Sequence, residues 1–264
     1  MYLGLDLGTS GLKGVVIDDK GNVLVQEFVS LTVSVPHATW SEQDPESWWQ
    51  ACVDVIQRLQ QRLDVSKLKA VGLSGQMHGA TLLDHHGAVL RPCILWNDGR
   101  SQGQCQALMA EFPDLIERSG NLYMPGFTAP KIRWVQENEP EVFAKLAHVL
   151  LPKVYLAFRL TGVMSSDCSD AAGTLWLNPQ TRQWDDDLLA ATGLTQANMP
   201  KVYEGCDLVG TLSEAIAQEL GLPLLPVVAG AGDIAAGAVG MVVPNPGQGS
   251  ASLGTSRVHF TVRA

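Results

Sequence analysis

Residues 4–13 read Gly4-Leu5-Asp6-Leu7-Gly8-Thr9-Ser10-Gly11-Leu12-Lys13. An apolar strand runs into a carboxylate, then a glycine, then two hydroxyls, and a second apolar strand, Leu12 to Ile17, follows at once. Two short strands joined in this way make a hairpin. The backbone N–H groups of its turn, with the Thr9 and Ser10 hydroxyls, suit phosphate oxygens. Asp6, at the end of the first strand, suits a hydrated magnesium ion, which takes oxygen ligands and keeps several waters. The stretch is not a Walker P-loop, which needs Gly-x4-Gly-Lys-Ser/Thr entering a helix. An ordinary hairpin with a Gly-rich turn has the same pattern, so the decapeptide alone leaves both readings open.

Composition narrows the rest. The chain has 264 residues, 46% hydrophobic and 17% charged, enough for one large core or two small ones. A net charge of −9 provides no basic footprint for nucleic acid and argues against an acidic membrane surface as partner. The five cysteines (52, 93, 105, 168 and 206) show no Cys-x-x-Cys spacing and read as reduced core thiols. Met1 is not followed by a basic n-region and an apolar h-region, and the most apolar stretch, Leu222 to Val243, is broken by prolines, glycines and Asp233. These features predict a cytoplasmic protein.

Working outward, three strands are expected at Tyr2–Leu7, Leu12–Ile17 and Asn22–Val29, joined by turns of hairpin length. Asp44 is a good N-cap and Pro45 a good first helical residue; Trp49, Cys52, Ile56, Leu59 and Leu63 then fall on one face. Leu68–Leu73 is apolar on both faces and so reads as a central strand. Helical patterns fit 100–111, 130–138, 140–146 and 152–160, and a short helix fits Asp185–Ala191. Strands are expected at Ala172–Leu177 and Pro223–Val228, with a helix opening around Ala235–Val239. Ala251–Leu253 and Val258–Val262 surround a second Gly-Thr-Ser turn, as if the first hairpin were duplicated. The order of three hairpin-linked strands, helix, strand, helix, strand defines the expected fold class: α/β, ribonuclease-H-like (actin-type ATPase), with a mixed sheet flanked by helices.

Three polar clusters follow apolar segments. Gln76-Met77-His78-Gly79 lies just past the central strand, where open α/β sheets bind ligands. Gln76 and His78 can bond hydroxyls and Met77 can pack on a carbon skeleton, although His78 could equally be a satisfied loop histidine. In Trp96-Asn97-Asp98-Gly99-Arg100, Trp96 offers an apolar wall, or is core while Asp98 caps the next helix. Asp233, among small residues at a strand end, is a candidate general base or a simple N-cap.

Taken together, the motifs resemble the FGGY family of carbohydrate kinases. They are Asp6 to Lys13, Trp40-Ser41-Glu42-Gln43-Asp44-Pro45-Glu46, Gly75 to Gly79, Ile94 to Arg100, Met124 to Lys131, Ser169-Asp170-Ala171-Ala172-Gly173-Thr174 and Gly232-Asp233. Gly126 to Asn138 matches the family's first signature, with Lys131 and Trp134 in place. The motifs lie nearest those members that phosphorylate xylulose. The resemblance implies ATP and Mg2+ as cofactors and D-xylulose, or a related ketose or polyol, as the other substrate. It implies that Asp6, Gly8, Thr9, Ser10 and Lys13 form a first phosphate loop, with Asp6 facing the metal through water. Gly254, Thr255 and Ser256 would form a second loop. Gln76, Met77, His78 and Trp96 would line the sugar site, and Asp233 would be the catalytic base. Family members run to nearly twice this length, so residues 1–245 are expected to be the N-terminal domain and 246–264 the start of a second, which could pair with another copy as a homodimer. Ile234 stands where the family has Asn, and Arg257 where it usually has Gly. A non-catalytic sugar-binding remnant is the alternative. The Gln-Met-His and Trp-Asn-Asp motifs argue against an actin- or chaperone-type ATPase.

Overall fold

Alternation sets the first layer. In β1 (Tyr2–Leu7), Leu3, Leu5 and Leu7 are buried while Gly4 is exposed and Asp6 half-exposed; β2 (Gly11–Ile17) buries Leu12, Gly14 and Val16 and turns Lys13 outward. The computed structural model describes residues 1–241, 245–253 and 257–262. β1 and β2 pair antiparallel with Asp6 opposite Lys13, and β2 pairs antiparallel with β3 (Val23–Ser30). Helix α1 (Pro45–Gln60) covers the buried face. Its N-cap Asp44 accepts from the Glu46 N–H (3.0 Å), and Pro45 opens the first turn. Trp48, Trp49, Val55, Ile56 and Leu59 are all buried, each stabilising the fold by roughly 1.5–3 kcal/mol. A Cβ on Gly14 would sit 2.3 Å from Val55 Cγ1, so α1 rests directly on the sheet.

β4 (Val71–Gly75) is the central strand. It runs parallel to β1, with Asp6 beside Ser74. On its other side lie β6 (Pro226–Val228) and β7 (Ala231–Gly232), both parallel to it. β5 (Leu208–Thr211) pairs antiparallel with β6 and closes that edge, giving the order β5-β6-β4-β1-β2-β3 with β7 beside β4. Between β6 and β7 the backbone turns at Gly230, whose φ is +73°. A Cβ there would fall 1.8 Å from the Leu73 carbonyl oxygen, so only glycine permits this approach to the central strand. α6 (Asp233–Gly240) leaves β7 directly. Before it come α2 (Thr128–Asn138), α3 (Pro152–Thr161), α4 (Cys168–Ala172) and α5 (Glu214–Leu220). One core lies between the sheet and α1, α3 and α5; a second, built around Leu82, Ile132, Val135, Trp176 and Leu188, carries the segments beyond the sheet.

This is the expected mixed-sheet, actin-type arrangement. Three local expectations differ. The central strand lies at Val71–Gly75 and not Leu68–Leu73, because Leu68 is used to cap a 3-10 turn over Val65–Lys67. Ala172–Leu177 is not a strand. Asp167 accepts the N–H groups of Ser169 (2.9 Å) and Asp170 (3.2 Å), which caps α4; Ala172 ends that helix, Gly173–Leu175 turn, and only Leu177–Asn178 is extended. The cysteines are all free, but Cys206 is exposed and Cys168 half-buried, so only Cys52, Cys93 and Cys105 are core thiols. The strands Gly249–Leu253 and Arg257–Thr261 pair antiparallel, as the second hairpin should, outside the seven-stranded sheet. Gly254, Thr255, Ser256 and the Arg257 side chain lie outside the described residues.

Gly230→Ala therefore lowers the unfolding free energy by about 4 kcal/mol, in the exceptional range for one substitution. Gly237→Ala, in a helix with open space around the position, raises it by about 0.5–1 kcal/mol. Urea unfolding of the two variants beside the parent measures both.

Candidate active site

The parallel pairing of β4 brings three carboxyl-terminal strand ends together. Asp6, next to last in β1, lies beside Ser74, and Asp233 follows the Ala231–Gly232 pairing with Ser74–Gly75. Ser74 Oγ donates to Asp6 Oδ1 (2.6 Å), fixing that carboxylate on the open face of the sheet. An apolar groove of about 710 Å3 runs along this face, with Asp6, Lys13 and Ser74 on one wall and Ala236 and Val239 of α6 on the other. Asp233 opens to solvent at the cleft and accepts from the Ile234 N–H (2.8 Å). Its carboxyl is held above the ordinary carboxylate range, first by the protein crowded around it and then by the charge of Asp6. Two neighbouring carboxylates beside an outward-facing Lys13 fit a hydrated magnesium–phosphate group, which needs only one or two protein carboxylates. Among the described residues no cluster of three or more His, Cys, Asp or Glu side chains forms a dedicated metal cage.

The Gly8–Gly11 turn is closed by Gly8 N–H to Gly11 C=O (2.9 Å). Ser10 is exposed, as a phosphate ligand requires. Thr9 differs from the expectation of a free hydroxyl. Its Oγ1 donates to Gln76 Oε1 (2.8 Å) and accepts from Trp96 Nε1 (2.8 Å). Gln76 is buried and donates its amide to Gln43 Oε1 (3.1 Å), whose amide donates to the Thr9 carbonyl (2.8 Å). Gln43 Oε1 also accepts from Trp48 Nε1 (3.1 Å). Gln76 is thus a strut between the turn and the Gln43 segment. Trp96 is half-buried and hangs from the turn by its indole N–H.

His78 takes a left-handed backbone (φ +66°), and its carbonyl accepts from Lys131 Nζ (2.9 Å) and Thr128 Oγ1 (3.1 Å). Its ring stacks edge-on to Phe127, and Nδ1 is 2.7 Å from the Gly173 carbonyl. A carbonyl only accepts, so Nδ1 carries the proton and Nε2 is a bare acceptor. Burial pulls the imidazole down to about 4, with nearby Lys131 acting in the same direction and the Gly173 bond opposing. Met77 packs against Gly232 and Gly173, where a Cβ would meet it at 2.8 and 3.0 Å. Asp98 is not the helix cap: it accepts from the Ser41 N–H (2.6 Å) and pairs with Arg100 (2.8 Å). Arg100 stacks on Trp40, 3.7 Å from its ring centre, and also pairs with Glu42 (2.7 Å).

Two lysines, Lys131 and Lys153, are buried, and the local pattern around neither marks it as such. Lys131 has no carboxylate partner among the described residues; it donates to the His78 and Gly126 carbonyls (2.9 and 2.8 Å), and burial brings it down to about 7. Lys153 pairs with Asp167 (2.8 Å) and lies 3.6 Å from Asp170. Asp170 is buried, neither of its oxygens has a hydrogen-bond partner among the described residues, and it is raised to about 7, chiefly by burial. A lysine inside an apolar helix pattern reads as a surface residue until the fold is known.

The match to the N-terminal domain of the FGGY family of carbohydrate kinases covers residues 1–240, so the chain belongs to that family. It is 51% identical to the xylulose kinase of Escherichia coli (strain K12) and 39% identical to that of Bacillus subtilis (strain 168). These alignments cover 99% and 97% of this chain, against 54% and 52% of the relatives. The chain therefore spans about half the length of the curated relatives it matches. The crystal structure of a xyloylose kinase from Brucella ovis superposes with a TM-score of 0.95 at 49% identity, over 98% of this chain and 54% of that one.

His78 leads to a pH test. Its folded-state value lies below the ordinary 6.5, so the stability it contributes is complete above pH 6.5 and lost as pH falls toward 4. The loss is at most about 1.4 kcal/mol per pH unit. In His78→Gln this component disappears, and urea midpoints between pH 6.5 and 4 fall less steeply than in the parent.

Proposed function

We propose that this chain is the sugar-binding half of an ATP-dependent, xylulokinase-type enzyme that converts D-xylulose to D-xylulose 5-phosphate. One observation carries the reading: Asp6 and Asp233 end strands on either side of β4, beside Met77 and His78. Residues 1–245 then form the first domain, and 246–264 begin a second. Gly8, Ser10 and Lys13 would hold the nucleotide phosphates, while Thr9 ties their turn to the sugar wall. Gly254, Thr255 and Ser256 would form the second loop. Asp6 would face Mg2+ through water. The magnesium–nucleotide, when bound, supplies the transferable phosphoryl group with part of its charge neutralised.

The sugar lies against Met77 and Trp96. His78 Nε2, neutral at physiological pH, accepts from one hydroxyl. Gln76 acts from behind, by holding Thr9. Asp233 accepts the proton of the attacking hydroxyl, typically worth a factor of about 10²–10⁴. Ile234, half-exposed beside it, neither donates nor accepts through its side chain, so one sugar hydroxyl loses a partner the family usually supplies. A related ketose or polyol is the substrate if that lost contact relaxes selectivity. The exposed free Cys206 and the use of ATP fit a cytoplasmic enzyme, and no helix among the described residues is long and apolar enough to cross a membrane. The sheet edge at β3, with Val23, Leu24 and Phe28 exposed, would serve a homodimer; the net charge of −9 favours neither nucleic acid nor an anionic membrane.

Joining this chain to the C-terminal half of the Escherichia coli xylulose kinase tests the reading. The joined protein is expected to release ADP only with sugar, at about 10 per second, whereas the chain alone shows no sugar-dependent release. Asp233→Asn in the joined protein lowers kcat at least about 100-fold, with calorimetric D-xylulose binding largely kept. Turnover of glycerol or a hexose in preference to D-xylulose would overturn the substrate assignment.

A further inference from the structure

The Ser169–Thr174 motif has no part in the chemistry above, yet it lies directly behind Asp233. Lys153, buried on α3, donates to Asp167 Oδ1 (2.8 Å) and to the Ala229 carbonyl (3.0 Å). Asp167 accepts the Ser169 and Asp170 amides at the start of α4, and its Oδ2 also accepts the Ser169 hydroxyl proton. With that proton committed, Ser169 Oγ accepts from the Gly232 N–H (3.1 Å). Gly232 is the residue before the candidate base.

We propose that Lys153, Asp167 and Ser169 form a hydrogen-bonded strut that sets the direction in which Asp233 leaves the sheet, with Ser169 as a positioning residue for the base. The inference rests on the reading of Asp233 as base. Three features make the strut necessary. β7 is only two residues long, so its pairing gives little hold on the junction. α6 is rich in Gly and Ala, and Gly237 and Gly240 have open space where a Cβ would stand. Among the described residues the Asp233 carboxylate accepts only from its own neighbour's amide, a contact that moves with it. The Ser169 hydroxyl is not needed to cap α4, because Asp167 already takes both amides there. Its acceptor role is therefore directed at Gly232. The charge on Lys153 holds Asp167, Asp167 polarises the Ser169 hydroxyl, and each bond strengthens the next.

The test has two arms. Amide exchange of Gly232, followed by NMR on this chain, is expected to quicken about 5- to 10-fold in Ser169→Ala, as for loss of one hydrogen bond. The Leu5 and Leu73 amides keep their protection, and Ser169→Thr restores Gly232. In the joined kinase, Ser169→Ala is expected to lower kcat about 10-fold, a typical result of slight misplacement, while KM for D-xylulose stays within about 2-fold. Asp233→Asn is run beside it. Unchanged Gly232 exchange in Ser169→Ala overturns the strut, as does loss of protection throughout the sheet, which would make Ser169 a packing residue. Unchanged kcat in Ser169→Ala, with Asp233→Asn inactive, removes the positioning role and leaves the base assignment standing. An active Asp233→Asn removes both.

Discussion

The cleft depends on parallel pairing of the Val71–Gly75 strand on both sides. Parallel neighbours end at the same edge, so Asp6 and Asp233 become neighbours although most of the described chain separates them. An antiparallel partner on either side would have carried one of them to the opposite edge. Burial raises the affinity of Asp233 for its proton, and the charge of Asp6 adds to it.

Behind that edge the protein uses buried polar groups as rigid spacers. Thr9, Gln43 and Gln76 form one network, Lys131 grips the left-handed His78 backbone, and Arg100 is clamped by Glu42, Asp98 and Trp40. Buried charges are weak sources of stability, since desolvation opposes the Coulomb gain. What they provide here is position. Each one ties loops from distant parts of the sequence: residue 9 to 76, 78 to 131, 42 to 100.

Period and turn chemistry made the hairpins, α1 and the glycine-rich strand end near Asp233 legible in the sequence. The edge strand Leu208–Thr211 was not, because it has four residues and mixed polarity. Ala172–Leu177 misled because its apolar run is core for a turn after α4, with Leu175 at positive φ, and local hydrophobicity does not report an upstream cap such as Asp167. Four of the candidate site residues, Asp6, Met77, His78 and Asp233, stood out as polar or adaptable groups among glycines. Those that act from behind did not. Gln76 resembles a ligand residue until its amide is seen bonded at both ends, and Lys153 resembles a surface lysine until α3 is packed under β4.

The Thr9 hydroxyl bonds Trp96 on one side and Gln76 on the other, so the turn proposed to hold phosphate and the wall proposed to hold sugar share one atom. Evolutionary drift is constrained accordingly. A lineage changing its sugar by replacing Trp96 would also release the hydroxyl that orders the turn, and selection would see one mutation as two defects. Met77 bears no such tie: its contacts are with glycines and the His78 ring's surroundings, and its flexible thioether tolerates reshaping. New sugar preferences in a fold wired this way should arise on the methionine side of the cleft, with the tryptophan side inherited intact.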